Sequence, residues 1–276
     1  MILAHRVSLG GVQLDEIDPR IIIKGIDGGA GKEAVTAAGT GAGDGTRITG
    51  KHRDSMEIQV RFSMNISARR GDIAERAEVL EAINAWAAAV ENGENGGAWL
   101  RVNYKANRRL WVDEVVTPGE GDLWKRLSEY TIVFRAHAIP YWMENSAVSA
   151  VTKTAQSASG TITVAGSAKT VADAELANKS GATINTATVI IGENEMNFEQ
   201  LALAANEALV FSHSTASGKN VIRIRIRNAQ GSYRSVLNKR TAGSADEFEI
   251  LPGDCAFSFS AQRACTLTVS VRGRFR

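Results

Sequence analysis

The chain has 276 residues, of which 44% are apolar and 22% charged, with a formal net charge of +2. This length favours two domains of ordinary globular composition. Basic and acidic residues number 18 and 19 through Trp142 and 14 and 11 thereafter, too even a balance to steer the chain to nucleic acid or a membrane surface. No stretch nears the ~20 apolar residues of a membrane span. The opening MILAHRVSLGG has neither the basic nor the apolar region of a signal peptide, so none is expected.

All five tryptophans (Trp86, Trp99, Trp111, Trp124, Trp142) lie before residue 143, and the composition changes there. In the first part, Arg20–Lys24 reads as a short buried strand. The glycine- and alanine-rich stretch that follows has no apolar period, which predicts a long flexible loop over residues 27–45. In Ser55–Ile66, Ile58, Val60, Phe62, Met64 and Ile66 alternate with Glu57, Gln59, Arg61, Ser63 and Asn65, the mark of a half-buried strand. Asp72 then caps a helix whose apolar stripe is Ile73, Leu80, Ile83, Ala87 and Val90, widened by Val79 and Trp86. The segments AWLRVNYK and RRLWVDEVV form a hairpin around Ala106–Asn107, and a long alternating strand covers Leu127–Ile139. Strands, one helix and more strands predict an α+β barrel or sandwich for residues 1–142.

Residues 143–276 hold many short strands punctuated by Ser-Gly, Gln-Gly and Pro-Gly-Asp turns, which predicts a β-sandwich of jelly-roll type. Cys255 and Cys265 are expected as free thiols on two strands of a hairpin turning near Ala261–Gln262. The sequons at Asn65 and Asn178 read as chance matches.

Motifs for catalysis are missing from the pattern. A phosphate loop at Gly31-Lys32 fails because Ile26 stands where glycine is needed and Glu33 where Ser or Thr is needed. His5, His52, His137 and His213 are far apart, with no metal-ligand spacing, and there is no GxSxG elbow or CxxC pair. No enzyme, cofactor or metal is therefore expected. In RIRIR, Arg223, Arg225 and Arg227 share one strand face opposite Ile222, Ile224 and Ile226. With no interleaved aromatics this reads as a solvated face and not as a nucleic-acid site. Contact with an acidic surface of a partner protein is its favoured use, with Tyr233 nearby. A carbohydrate-binding β-sandwich for host-surface attachment is the competing function. Against it, the second part has no tryptophan and one tyrosine, Tyr233, which reads as closing a turn after Gly231.

The order of these pieces resembles the distal tail proteins of long non-contractile-tailed phages. The resemblance runs through RVSLGGVQLDEI, RFSMNI, INAWA, WLRVNYK, RLWVDEV and LSEYTIVFRAHAIPYW, ending on Pro140-Tyr141-Trp142. It continues in FEILPGDCAFSFS. It implies a split-barrel-like ring domain over 1–142 and a galectin-like sandwich over 143–276. It also implies a homohexameric baseplate hub, in virion or prophage, that joins the tail-tube protein to the tail-tip hub protein and receptor-binding proteins. Assembly would take place in the host bacterial cytoplasm, and the hub would sit at the virion tail tip. Ring closure needs two different surfaces on each copy. Arg20, Lys24, Arg47, Glu57, Gln59 and Arg61 are the candidates for the subunit contact, and Arg223, Arg225, Arg227 and Tyr233 those for partner docking.

Overall fold

A computed structural model describes residues 5–39, 46–66, 72–93, 96–119, 121, 129–214 and 221–276. The chain divides into two compact units, one essentially Met1–Trp142 and the other Met143–Phe275.

The first unit begins with β1 (Val7–Leu9) and β2 (Val12–Gln13), paired with Leu9 opposite Val12. Gly10 and Gly11 close this hairpin at φ +59° and +95°, the left-handed pair that a two-residue turn demands and glycine supplies without strain. The one-turn helix α1 (Leu14–Ile17) buries Leu14. Next come β3 (Ile21–Gly39), β4 (Thr46–Met64), α2 (Asp72–Ala87), β5 (Ala98–Val102), β6 (Arg108–Val112), β7 (Glu114–Val116) and β8 (Tyr130–Ala136). Within the unit, β2-β1-β5-β6 form one sheet and β3-β4-β8-β7 another.

The alternation in β4 sets the second sheet. Met56, Ile58, Val60 and Phe62 are fully buried, and each lies opposite a buried partner on β8 (Ala136, Phe134, Ile132 and Tyr130). The helix covers that face. Trp86 meets Phe134 edge-on at 5.9 Å, and Arg76 donates to the Tyr130 hydroxyl at 3.0 Å. Trp86 also donates from Nε1 to the carbonyl of Val12 at 3.0 Å, so one indole joins helix, sheet and first hairpin. The buried stripe of α2 runs Asp72, Arg76, Val79, Leu80, Ile83, Trp86 and Ala87, with Arg76 on the inner side and Ile73 half-buried. Sequence polarity misplaces Arg76 because its guanidinium finds a hydroxyl inside.

The loop expected over residues 27–45 is corrected. Residues 27–39 are strand, paired with Thr46–Gln59 through several bulges, while 40–45 lie outside the described residues. Apolar period reports burial, but a backbone ladder needs only a partner strand to satisfy its N–H and C=O groups. Of the predicted strand Leu127–Ile139, Tyr130–Ala136 is observed as β8; residues 129 and 137–139 lie beyond its ends, and residues 127 and 128 lie outside the described set.

The segment β9 (Trp142–Glu144) carries the chain into the second unit. There follow β10 (Val148–Val151), β11 (Ala155–Val164), β12 (Thr170–Asn178), β13 (Ala187–Ile191), β14 (Asn194–Phe198), β15 (Ala208–Ser214), β16 (Val221–Arg227), β17 (Tyr233–Ser235), β18 (Glu249–Ile250), β19 (Gly253–Val271) and β20 (Arg274–Phe275). The strands run in the order β14-β13-β19-β12-β15-β16-β17, with β10 and β11 also on β19. The two ends of β19 serve different layers. Ser258 lies between Ser159 of β11 and Ile190 of β13, whereas Thr268 lies between Val151 of β10 and Glu175 of β12. The result is a β-sandwich filled by one apolar cluster, in which Phe211 meets Phe198 and Phe248 edge-on at 5.7 and 5.2 Å.

The hairpin expected between the cysteines is therefore also corrected. Cys255 and Cys265 stand on the same continuous strand, opposite Ile162 and Ala155 respectively. Polar Gln262 and Arg263 resemble a turn, but they are exposed where the strand passes between layers. Both thiols are free and buried. Burial raises the pKa of Cys255 and pushes that of Cys265 up to about 11.

Two outcomes follow. Phe134→Ala should lower stability by about 3–5 kcal/mol, as core aromatic truncations do, read from the urea midpoint; a shift below ~1 kcal/mol would contradict the packing of α2 on β8. A chromogenic thiol reagent should label both cysteines slowly in native buffer and rapidly in denaturant. Fast native labelling would contradict their burial.

Candidate assembly and docking surfaces

The outer face of the β3-β4-β8-β7 sheet is charged with both signs. Register sets Glu57 opposite Arg135, and Arg135 opposite Glu114. The Arg135 guanidinium lies 3.1 Å from Glu57 and 2.8 Å from Glu114. His137 Nε2 is 2.9 Å from Glu114, and these partners, His137 first, hold the Glu114 carboxyl below its usual range. Further along, Arg61 lies 2.8 Å from Asp27 and 3.4 Å from Glu129, and Gln59 donates to Glu57 at 2.8 Å.

Thus Glu57, Gln59 and Arg61 do share one surface. The sequence reading missed their partners Asp27, Glu114, Glu129, Arg135 and His137. Alternation along Leu127–Ile139 puts Arg135 and His137 on its polar phase, but strand order is not legible in the sequence. Arg20 lies apart, tied to Asp18 at 2.7 Å and to Glu78 of α2 at 3.1 Å; the Arg20 hydrogen bond lowers the Asp18 pKa. Lys24 is exposed on β3. Arg47 pairs with Ala38 along the backbone, and its side chain lies outside the described residues. Both outermost strands of this sheet, β3 and β7, present an unpaired edge among the described residues, with Ile22 and Val116 exposed there.

On the second unit, Ile224 and Ile226 are buried and Ile222 partly so, which turns Arg223, Arg225 and Arg227 outward. Tyr233 follows the turn over residues 228–232, in which Gly231 has φ +84°, and opens the edge strand β17 opposite Arg227, where it is exposed. The Arg225 guanidinium stacks 4.4 Å from its ring. Arg227 reaches Glu175 at 2.6 Å. The RIRIR arginines and Tyr233 therefore form one surface.

Behind the same edge, Arg234 grips Glu207 through two hydrogen bonds of 2.6 and 2.8 Å and donates to the Ala202 carbonyl at 2.7 Å. This clamp holds a loop in which Gln200, Ala202 and Asn206 all have positive φ. Asn178 supports it from inside, donating to the carbonyls of Leu203 and Ala204 at 3.0 Å. Its side chain is buried, as a chance sequon permits. Proximity in the fold, not spacing in sequence, makes the clamp.

Among the described residues, no group of three or more His, Cys, Asp or Glu side chains gathers as a metal site. No described helix is long and apolar enough to cross a membrane.

Arg234 first, and then the backbone N–H of Ala204, draw the Glu207 carboxyl below its ordinary value of 4.5. A lowered carboxylate contributes stability above its unfolded value and loses it as pH falls through the folded one. Glu207→Gln should accordingly cost about 1–2 kcal/mol at neutral pH. The gap between variant and parent urea midpoints should close as pH drops below ~4.5. A gap that does not narrow at all between neutral pH and pH ~3 would show that the charge is not its source.

No family model matches the chain, and the search of curated proteins finds no relative. Solved structures do resemble it. The Dit (gp 19.1) protein of phage SPP1, described as a paradigm of the hub adsorption apparatus in phages infecting Gram-positive bacteria, superposes with a TM-score of 0.65 at 13% identity. The match covers 97% of this chain and 98% of that one. A chain of the phage P2 baseplate in its activated conformation matches at a TM-score of 0.50 and 5% identity, covering 98% of each. The expected fold class, an α+β first body followed by a β-sandwich, is thus observed, and from end to end the chain has the fold of the SPP1 Dit protein.

Proposed function

We propose that this chain is a structural protein of a phage tail tip, a hexameric adapter between the tail tube and the tip apparatus that contacts receptors. The observation that carries this reading is the shared fold over nearly the full length of both this chain and SPP1 Dit. Residues 1–142 form the ring and residues 143–276 the docking body. The chain assembles with itself, the tail-tube protein and a tip hub protein in the host cytoplasm, and ends at the virion tail tip. No catalytic role is assigned to any residue.

The ring closes head to tail, which requires two unlike surfaces on each copy. Open strand edges pair readily with another chain, and the four-stranded sheet has one at β3 and one at β7. We place the contact there, with Arg20 and Lys24 beside the β3 edge and Glu57, Gln59 and Arg61 on the adjoining polar face. A sugar-binding role for the second unit has less support, because one ring face of Tyr233 is taken by Arg225.

Native mass spectrometry across a concentration series, with electron micrographs of the largest species, tests this reading. Six-fold rings are expected. A monomer at every concentration, with tube protein present as well as absent, would refute it. Val115→Pro adds a specific check. The Arg135 carbonyl accepts from the Asp113 N–H and so points to β7, which makes Glu114–Arg135 and Val116–Val133 the hydrogen-bonded pairs and turns the Val115 N–H to the open edge. Proline there should spare the folded monomer yet abolish rings. Rings that form normally would move the contact elsewhere.

A further inference from the structure

We propose that the outer face of β16 and β17 binds an extended, acidic segment of a partner protein. The proposal rests on the reading of the second unit as a docking body. It deepens that reading by naming the chemistry of the partner.

Arg223, Arg225 and Arg227 occupy alternate positions on one strand, so their Cα atoms repeat every ~6.8 Å. An extended segment with carboxylates at alternate residues has the same repeat. The two can therefore meet group for group, each through a paired guanidinium–carboxylate contact.

The three arginines are not equivalent. Arg227 is already neutralised by Glu175 at 2.6 Å. Arg225 stacks on Tyr233 and lies 3.5 Å from the hydroxyl of Ser212, with no carboxylate at its guanidinium among the described residues. Arg223 is exposed opposite Ser212, and no acid pairs with it among the described residues. The other acid on the neighbouring face of β12, Asp173, is engaged by the backbone N–H of His213 at 2.8 Å and its Nδ1 at 3.1 Å.

Among the described residues, two adjacent guanidinium groups are therefore left without a counter-charge, beside an exposed aromatic ring. Arginine and tyrosine are the residue types that anchor protein interfaces. Stacking on Tyr233 holds the Arg225 fork in place before a partner arrives, which lowers the entropy lost on binding. The even overall charge of the chain argues against an indiscriminate polyanion trap, so an acidic protein segment is the occupant that fits.

The test uses the full-length chain and a dye-labelled peptide of alternating Glu and Ser, with a Gln-Ser peptide as control, read by fluorescence anisotropy at low salt. The acidic peptide should bind and the control should not. Arg223→Ala with Arg225→Ala should weaken binding about tenfold or more, and Tyr233→Ala should weaken it while Tyr233→Phe does not. The double variant should melt and form rings as the parent does, which separates this proposal from the ring reading. Absence of peptide binding, unchanged binding in the double variant, or equal competition by polyphosphate of matched charge would each overturn it.

Discussion

The pairing of β4 with β8 beneath α2 is the constraint from which the first unit is built. Seven consecutive register pairs, Met56–Ala136 to Phe62–Tyr130, bring the apolar phases of two strands to one face and the charged phases to the other. A slip of β4 by one residue would turn its faces over and bury Glu57, Gln59 and Arg61. The helix can dock only on the apolar side, where Trp86 meets Phe134. The two-signed outer surface follows from the same register, since Glu57, Arg135 and Glu114 fall in line across three strands.

In the second unit β19 has the comparable place. Cys255, Phe257 and Phe259 are buried at one end and Cys265, Leu267, Val269 and Val271 at the other. The phase thus survives passage from one layer to the next. A single strand that pairs with β11 and β13, then with β10 and β12, connects the layers covalently. The apolar residues of both layers consequently meet in one cluster. The β15-β16-β17 side of the sheet hangs from this frame, and its arginine column is the outward phase of strands whose inward phase is Leu209, Phe211, Ile224 and Ile226.

The proposed assembly and docking surfaces differ in how their charges are held. The polar face of the first unit is internally paired at nearly every named charge, which favours contact through strand edges over contact through that face. On the second unit the pairing among the described residues is incomplete, and Arg223 and Arg225 have no carboxylate partner there. That difference in charge satisfaction, more than net charge, distinguishes a face that closes on itself from one suited to a partner.

Most of β8, the inner half of β4, the strand β16 and the helix α2 were legible in the residues alone, because period-two and period-3.6 burial leaves a direct trace in polarity. The shared face of Arg223, Arg225 and Arg227 was legible for the same reason. The strand through residues 27–39 was not, because its ladder is a property of the partner strand. Nor was the continuity of β19, since exposed Gln262 and Arg263 look like a turn until the two layers they connect are known. Tyr233 beside Arg225, Arg135 between Glu57 and Glu114, and Arg234 on Glu207 join residues from different strands or from a loop and an edge strand. Local periodicity determined which way most side chains of these elements face; only the tertiary structure decided what they face, because strand order and register are set by the summed packing of distant elements.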